Sequence, residues 1–492
     1  MSMIKIENLT FAYPASYENV FENVNIQIDT EWKLGFIGRN GRGKTTLLRI
    51  LLGELEYSGK ISASVKFDYF PYPVNDESRL TCEVLSGICP AAEDWEIARE
   101  LSYLEIDSDV LWEPFDTLSN GQRIKVQLAA LFLNEGRFLL IDEPTNHLDT
   151  KGRELVAAYL KRKRGFILVS HDRSFLDGCV DHILSLNRSD IEVQTGNFSS
   201  FMYNFEQHQE HEKAQNERLK KDIDRLKKAS AQTAAWSAKV EKTKYGKNDS
   251  GLKPDRGYVG HKSAKMMKRS KTIAARRQEA VEQKSELLKN AESAEELKIT
   301  PLSYRSDLLV DLSETQISYG KKTICSPISF SVHRNERIAL EGKNGSGKSS
   351  ILKMLVGENI EHTGILTKGS GLVISYVPQD TSFLKGDLSE FAERCGINES
   401  LFKAILRKMD FERCQFDKDM SDFSSGQKKK VLIAKSLCEQ AHLYIWDEPL
   451  NFIDIYSRIQ IERLIQAFSP TMIFVEHDRV FQERIATKTV LL

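Results

Sequence analysis

The sequence predicts an α/β fold that occurs twice in tandem, with a long α-helical hairpin between the two copies. Three observations carry this prediction. Four motifs recur at one fixed spacing, strand-like apolar runs alternate with helical segments in each copy, and a Gly-rich loop separates two stretches that lack Gly and Pro. At 492 residues the chain is also too long for a single hydrophobic core.

The recurring motifs keep the same order in both copies. GRNGRGKT at 38–45 returns as GKNGSGKS at 342–349, LSNGQ at 118–122 as FSSGQ at 423–427, FLLIDEPTNHLD at 138–149 as LYIWDEPLNFID at 443–454, and VSHDRSF at 169–175 as VEHDRVF at 475–481. The offsets are 304, 305, 305 and 306 residues. A shared offset indicates a duplicated domain, which we place at residues 1–200 and 301–492.

The segment 201–300 between the copies is predicted to be a helical hairpin. No Gly or Pro occurs from 197 to 245, four Gly and one Pro fall within 246–260, and neither occurs from 261 to 300. A helix of about 40 residues would extend roughly 60 Å. The apolar residues that could face each other along this hairpin are Leu219, Ile223, Leu226, Val281, Leu287 and Leu288.

Positive charge is concentrated in this segment. Residues 239–277 hold 13 Lys and Arg against 3 Asp and Glu, a net charge of +10, whereas the rest of the chain has 56 against 67, or −11. A basic tip at about 242–262 is typical of nucleic-acid binding, because Lys and Arg neutralise phosphates. A solvated loop and a targeting signal are the alternatives.

The composition is that of an ordinary globular protein, with 41% apolar and 28% charged residues. No apolar run is long enough to cross a bilayer, and the N-terminus lacks the apolar core of a signal peptide. We therefore expect a cytoplasmic protein without a membrane partner. The seven cysteines show no C-x-x-C spacing, so neither a disulfide framework nor a zinc site is expected.

Each G-x-x-x-x-G-K-[ST] motif follows an apolar run and precedes a helical segment, which is the context of a phosphate-binding P-loop. Backbone N–H groups and the helix N-terminus would bind the phosphates of ATP. A Gly-rich turn is the alternative. Lys44 and Lys348 would reach the terminal phosphates, and Thr45 and Ser349 would ligate Mg²⁺.

Two apolar strands end in paired acids. Asp142 and Asp447 would hold Mg²⁺, and the next residues, Glu143 and Glu448, would polarise the attacking water. A strand-end turn with solvated acids is the alternative. A histidine after a later strand occurs in both copies and is interpreted as a γ-phosphate contact: His171 and His477.

The P-loop, S-x-G-Q motif, DEP strand and HD motif together resemble the nucleotide-binding domains of ABC ATPases. The resemblance implies that the two domains pair head to tail, so that each P-loop shares ATP with the S-x-G-Q signature of the other copy. It assigns ATP to Tyr13, Gly38, Asn40, Gly41, Gly43, Lys44, Thr45 and Thr46 with Ser424, Gly426 and Gln427, and to Tyr319, Gly342, Asn344, Gly345, Gly347, Lys348, Ser349 and Ser350 with Ser119, Gly121 and Gln122. A loop glutamine that contacts Mg²⁺ in the family matches Gln379.

This sequence departs from the family pattern at three positions. Tyr72 stands where the first copy should have the loop glutamine, which weakens the expected Mg²⁺ contact there. Asn120 and Ser425 each replace a Gly of the signature. Because both catalytic glutamates are present, we expect two competent but unequal sites.

Three classes of ABC protein are alternative interpretations of the whole chain. A transporter subunit does not account for a basic hairpin, and DNA-repair ATPases carry much longer coiled coils or zinc sites. The chain resembles the ABC-F proteins, which have two ABC domains and a helical linker of about 80 to 100 residues. That resemblance implies binding of a monomer to the bacterial 70S ribosome at the tRNA exit site, beside 23S rRNA and peptidyl-site tRNA, and no binding of DNA.

The linker tip resembles that of antibiotic-resistance ABC-F proteins of the Lsa kind. Lys44 to Ser119 spans 75 residues and Lys348 to Ser424 spans 76, which leaves no room for the arm that housekeeping members carry in the first domain. The chain also ends soon after its second HD motif. A housekeeping translation factor is the alternative. Aromatic rings that could stack on bases are Trp236, Tyr245 and Tyr258, and the RNA-binding tip is assigned to Lys244, Tyr245, Lys247, Lys253, Arg256, Tyr258, Lys262 and Lys265.

Overall fold

The fold was analysed in a computed structural model. It describes residues 2–14, 19–146, 148–186, 191–208, 298–320, 322–343 and 345–492, with scattered helical positions between 210 and 228. Residues 1–201 and 296–492 form one compact unit, and 202–295 form a second. The hairpin loop, the basic tip and Asn344 lie outside the described residues, so the corresponding predictions stay predictions.

The first domain contains two sheets. A six-stranded sheet has the order β5-β6-β7-β3-β8-β9, in which every pair is parallel except β8 with β9. A three-stranded antiparallel sheet has the order β2-β1-β4. The strands are β1 (Met3–Phe11), β2 (Phe21–Asp29), β3 (Lys33–Gly38), β4 (Ser58–Ser62), β5 (Lys66–Phe70), β6 (Arg137–Asp142), β7 (Phe166–Val169), β8 (His182–Leu186) and β9 (Ile191–Thr195).

The second domain repeats this arrangement. A parallel sheet has the order β15-β16-β17-β13-β18, and an antiparallel sheet pairs β10 with β11, β12 and β14. The strands are β10 (Leu308–Tyr319), β11 (Lys322–Thr323), β12 (Ile328–His333), β13 (Arg337–Glu341), β14 (His362–Lys368), β15 (Ile374–Val377), β16 (Leu443–Asp447), β17 (Met472–Val475) and β18 (Lys488–Leu491). The predicted duplicated α/β fold is therefore confirmed.

The helices also occur as matching sets in the two domains. In the first they are α1 (Lys44–Leu51), α2 (Thr81–Ile88), α3 (Asp94–Tyr103), α4 (Asn120–Leu131), α5 (Thr150–Arg162) and α6 (Arg173–Cys179). In the second they are α7 (Lys348–Val356), α8 (Leu388–Arg394), α9 (Glu399–Lys408), α10 (Ser425–Cys438), α11 (Ile455–Phe468) and α12 (Arg479–Ile485). A further helix is described from 198 to 208, at the start of the segment between the domains.

The parallel strands carry the core. All four residues of β7 and of β17 are buried, as are all five of β16. Continuous apolar runs are typical of parallel strands because both faces are covered. The carboxyl ends of β6 and β16 therefore bring Asp142 and Asp447 to the edge of the core, next to the P-loops. Among the helices that the structure describes, none combines the length and apolar character needed to cross a membrane.

Candidate functional site

The two P-loops have the same local structure. Gly43 and Gly347 precede α1 and α7 with left-handed φ angles of 102° and 92°, a conformation that favours glycine. The ammonium group of Lys44 donates to two backbone carbonyls of its own loop at 2.8 and 3.1 Å, and that of Lys348 does so at 2.8 and 2.9 Å. Burial lowers the pKa of both lysines. Each loop thus surrounds a lysine at a helix N-terminus, the arrangement that binds phosphate.

The S-x-G-Q motifs form the N-terminal caps of α4 and α10. The hydroxyl of Ser119 accepts from the backbone N–H of Gln122 at 3.3 Å, and the Gln122 side chain accepts from the Ser119 N–H at 3.0 Å. Ser424 and Gln427 make the same pair of bonds at 3.3 and 2.8 Å. This is a capping box, which orients the exposed N–H groups of the helix. The serine and glutamine that were assigned to ATP therefore also have a local structural role.

The two predicted catalytic glutamates share an unusual backbone conformation. Glu143 and Glu448, directly after β6 and β16, have φ angles of 50° and 45°. Left-handed backbone is rare for residues other than Gly, Asn and Asp, and such strain is concentrated at functional sites. The same outlier in both copies sets the direction of each carboxylate and supports a functional role for the two positions.

The predicted metal ligands present oxygen atoms suited to Mg²⁺. The hydroxyl of Thr45 donates to Asp142 at 3.1 Å. In the second domain both carboxylate oxygens of Asp447 are buried with no hydrogen-bond partner among the described residues. Burial raises the pKa of Asp142 and raises that of Asp447 to about 6. A buried carboxylate is compensated by a hard cation, so the oxygen atoms of Thr45 with Asp142 and of Ser349 with Asp447 fit Mg²⁺, which would neutralise phosphate charge.

Glu448 is held by three polar side chains. The Gln379 amide donates to its Oε2 at 2.8 Å, the Asn451 amide donates to the same atom at 2.6 Å, and Nε2 of His477 lies 3.5 Å from Oε1. Burial alone would raise the pKa of Glu448, but its contacts with His477 and Gln379 hold it below the ordinary value. An ionised carboxylate with a fixed orientation is what a general base requires.

Glu143 lies in a different environment. Its Oε1 is buried and lacks a hydrogen-bond partner within the part of the chain that the structure describes. Nε2 of His171 is 3.4 Å away, but it is hydrogen-bonded to the Asn40 side chain at 3.1 Å. Burial and the charge of Asp142 raise the pKa of Glu143 to about 8.

Tyr72 takes no part in holding Glu143 in the way that Gln379 holds Glu448. Its backbone N–H and carbonyl instead pair with the Gln127 side chain at 3.3 and 3.2 Å. The neighbouring Tyr69 donates its hydroxyl to Asp142 at 3.1 Å. The departure noticed in the sequence therefore coincides with unequal surroundings of the two glutamates.

The two predicted adenine-stacking residues occupy matching places beside the P-loop helices. The hydroxyl of Tyr13 is 2.8 Å from the Thr46 hydroxyl, and that of Tyr319 is 3.1 Å from the Ser350 hydroxyl. The two tyrosines are 42% and 50% exposed. Each ring is tethered at one end and keeps an accessible surface, which suits stacking on a planar base.

The second P-loop and the first signature line one cavity of about 940 Å³. Lys348, Gln379 and Glu448 lie on its second-domain side, and Ser119 and Gln122 lie on its first-domain side. Its volume falls within the ~300–1,000 Å³ typical of small-molecule sites. We call this cavity and its lining the second composite site.

The first P-loop and the second signature, which we call the first composite site, are in close contact. The side-chain amide of Asn40 donates to the backbone carbonyl of Phe452 at 2.6 Å. A Cβ atom at Gly426 would lie 2.4 Å from that carbonyl oxygen and 2.9 Å from the Asn40 amide nitrogen. Glycine is required at position 426 by the Phe452 carbonyl of its own domain, and the Asn40 amide of the other domain lies against the same position.

A buried ion pair joins the two domains away from the P-loops. Arg173 of the first domain donates to both carboxylate oxygens of Glu462 in the second, at 3.0 Å for the longer bond, and lies 3.4 Å from Asp478. The equivalent residue of the second domain, Arg479, pairs with Glu154 at 3.2 Å, but both of those side chains are 61% exposed. Of these two ion pairs between the domains, the one made by Arg173 is buried and the one made by Arg479 is exposed.

Sequence reasoning missed several residues of these sites. Asn451, which holds Glu448, has a counterpart in Asn146 at the 305-residue offset of the duplication, so comparison of the two copies could have found it. Lys429 donates to the backbone carbonyls of Pro378 and Asp447 at 2.9 and 3.2 Å. The sequence does not distinguish Lys429 as a site residue, because it lies inside a lysine-rich stretch that is typical of an exposed helix.

Substitution of Ala for Lys348 should weaken nucleotide binding at the second composite site only. A hydrogen bond to a charged group contributes about 1.5–3 kcal/mol, so affinity there should fall by about 10- to 100-fold. Equilibrium dialysis with ATP should then give a stoichiometry of one rather than two. Lys44→Ala is the matched variant for the first composite site, and an unchanged stoichiometry in either variant would contradict the assignment.

Comparison with known proteins was made for the whole chain. The family model described as "ABC transporter" matches residues 21–146 and 325–451. The ribosome protection protein VmlR of Bacillus subtilis is 27% identical, with 100% of this chain and 87% of that protein covered. The energy-dependent translational throttle protein EttA of Haemophilus influenzae is 26% identical over 95% of this chain and 88% of its own length. The archaeal ribosome recycling factor aABCE1, solved with the ribosomal stalk protein aP1, has the same fold, with a TM-score of 0.63 at 19% identity over 98% of this chain and 87% of the solved one.

Proposed function

The chain belongs to the ABC transporter family and is an ATPase with two ABC domains, and from this premise we propose that it is an ABC-F protein that protects the bacterial ribosome against antibiotics. It binds the 70S ribosome as a cytoplasmic monomer at the tRNA exit site. Its interdomain segment then dislodges drugs from the peptidyl-transferase centre, namely lincosamides, pleuromutilins and group A streptogramins. ATP closes the two domains for binding, and hydrolysis drives release.

The observation that carries this proposal is the similarity to VmlR over the full length of the chain. It includes the segment between the ABC domains, where residues 239–277 carry a net charge of +10. Such a segment favours contact with the phosphates of 23S rRNA and peptidyl-site tRNA.

The proposal assigns hydrolysis to the paired acids at the ends of β6 and β16. Glu143 and Glu448 act as general bases toward the attacking water, and His171 and His477 contact the γ-phosphate. The strained backbone of both glutamates and the bonds that hold Glu448 support these roles. Bound Mg²⁺ would supply charge neutralisation at the phosphates.

A translation factor without a role in resistance is the second candidate. The similarity to EttA, which covers 95% of this chain, favours it. The two functions differ in their effect on drug susceptibility. Expression in a susceptible Gram-positive host should raise the inhibitory concentrations of lincomycin and tiamulin and leave that of a macrolide unchanged. Unchanged inhibitory concentrations for all three drugs would favour the translation factor.

Deletion of residues 246–260 should abolish drug protection and leave ATP hydrolysis in the absence of ribosomes intact, because the ATP-binding motifs lie outside this range. The inhibitory concentration of lincomycin should return to that of the host without the gene. A control replaces the same 15 residues by Gly and Ser, which keeps the length and removes three basic and two acidic side chains. Protection that survives both changes would rule out the linker as the active element.

A further inference from the structure

Two arginines of the first P-loop bind one aspartate of the other domain. Nη1 of Arg39 lies 3.0 Å from Oδ1 of Asp410, and Nη2 of Arg42 lies 3.5 Å from Oδ2. The three side chains are 26%, 20% and 17% exposed. Ion pairs that are largely shielded from solvent are screened less by salt than exposed ones. We call this group of three residues the Arg–Asp clamp.

Asp410 is fixed to the helix that carries the second signature. It follows α9 in a left-handed conformation with φ of 66°, which aspartate tolerates better than most residues. The carbonyl of the preceding residue, Met409, accepts a hydrogen bond of 2.8 Å from the buried Lys430 of α10. Lys430 is itself paired with Asp454 at 2.8 Å. The clamp therefore connects the first P-loop to α10, beside the contact of Asn40 with Phe452.

The second composite site is built differently at the equivalent positions. Its P-loop has Lys343 and Ser346 where the first has arginines, and Ser346 Oγ is buried with no hydrogen-bond partner among the described residues. The position equivalent to Asp410 is Glu105, which shares the left-handed backbone at φ of 50°. Glu105 pairs with Lys151 of its own domain at 3.1 Å. Within the part of the chain that the structure describes, the clamp thus occurs only at the first composite site.

We propose that Asp410 is a positioning residue that, through Arg39 and Arg42, keeps the first composite site assembled when nucleotide leaves the second composite site. Exchange of nucleotide then occurs mainly at the second composite site, where the cavity is open and the catalytic carboxylate is held by Gln379 and Asn451. The first site retains its nucleotide through several turnovers of the second. This inference requires only the ATPase activity and is independent of any role on the ribosome.

The test measures nucleotide release from each site. The full chain with Glu143→Gln and Glu448→Gln is loaded with a fluorescent ATP analogue and chased with excess ATP. Two phases of release are expected, and adding Lys348→Ala should leave the slow phase only. Adding Asp410→Asn instead should accelerate the slow phase by about tenfold, since two partly buried ion pairs together contribute on the order of 1–2 kcal/mol.

The chain itself supplies the control variants. Arg39→Lys with Arg42→Ser gives the first P-loop the residues of the second, so the loop keeps a sequence that folds, and the slow phase should accelerate equally. Combining this pair with Asp410→Asn should have no further effect, and Asp410→Glu should restore slow release. Glu105→Gln should change neither phase. The proposal would be overturned if neither Asp410→Asn nor the Arg39→Lys and Arg42→Ser pair accelerated the slow phase. It would also be overturned if the effects of Asp410→Asn and of the arginine pair were additive.

Discussion

Replacement of both Glu143 and Glu448 by Gln should reduce the rate of ATP hydrolysis by about 10²–10⁴-fold, the range that general-base catalysis contributes. Glutamine keeps the shape of glutamate and its hydrogen-bonding reach but cannot accept the proton of the attacking water. The strained backbone at both positions should be retained, because the substitution leaves the Cβ atom in place. Phosphate release measured at saturating ATP and Mg²⁺ checks this result.

The two single variants, Glu143→Gln and Glu448→Gln, show how much of the ATP hydrolysis rate each site contributes. Glu448→Gln should remove the greater part of the activity, because Glu448 is oriented by Gln379, Asn451 and His477. Glu143→Gln should have the smaller effect, since Glu143 lacks the bond that a loop glutamine would supply in place of Tyr72. Equal losses in the two single variants would contradict the inequality that we infer from the geometry.

The same double variant also tests the proposed partner. If hydrolysis drives release, the protein should remain bound to 70S ribosomes in the presence of ATP and sediment with them. The unmodified protein should sediment with ribosomes only transiently under the same conditions. Recovery of the double variant entirely as free protein, despite retained ATP binding, would refute ribosome binding without affecting the assignment of the catalytic glutamates.

Glu462→Gln should lower the free energy of unfolding by about 3 kcal/mol, the low end of the range for breaking a buried ion pair. The substitution leaves Arg173 buried with Asp478 as its remaining acidic partner at 3.4 Å. Glu462 is 2% exposed and Arg173 is 4% exposed, so water cannot replace the lost carboxylate. Scanning calorimetry should show a lower unfolding temperature.

The duplicated interface offers a matched control. Glu154→Gln removes the partner of Arg479 in the other domain and leaves Arg479, the residue equivalent to Arg173, paired with Glu483 at 2.9 Å. Because solvated ion pairs contribute little to stability, this variant should unfold at the temperature of the unmodified protein. A similar loss of stability in Glu154→Gln and Glu462→Gln would show that burial does not distinguish the two pairs.

The sequence predicted those parts of the sites whose chemistry is local. A P-loop and an acidic pair at a strand end can each be recognised within about ten residues, and the structure places Lys44, Glu143 and their counterparts at the expected strand and helix ends. The α/β fold followed from the same pattern, because a motif that must lie between a strand and a helix fixes both elements.

Contacts between distant residues could not be predicted in this way. Arg173 and Glu462 are 289 positions apart, and neither stands out among the 139 Lys, Arg, Asp and Glu residues of the chain. The capping role of Gln122 and Gln427 was also missed, although S-x-x-Q is itself a helix-start pattern. The family resemblance assigns the same residues to ATP, so one motif carries both the capping role and the predicted ligand contact.

The fusion of two copies on one polypeptide has a consequence for the symmetry of the interface. In a dimer of identical chains every contact across the axis occurs twice, so a residue change alters both halves at once. Here Asp410 and Glu105 are equivalent positions that are encoded separately, as are Arg173 and Arg479, so each can change without the other. One half of the interface can therefore stay closed while the other half opens for nucleotide exchange. A homodimer of a single ABC domain could not encode this difference between its two halves.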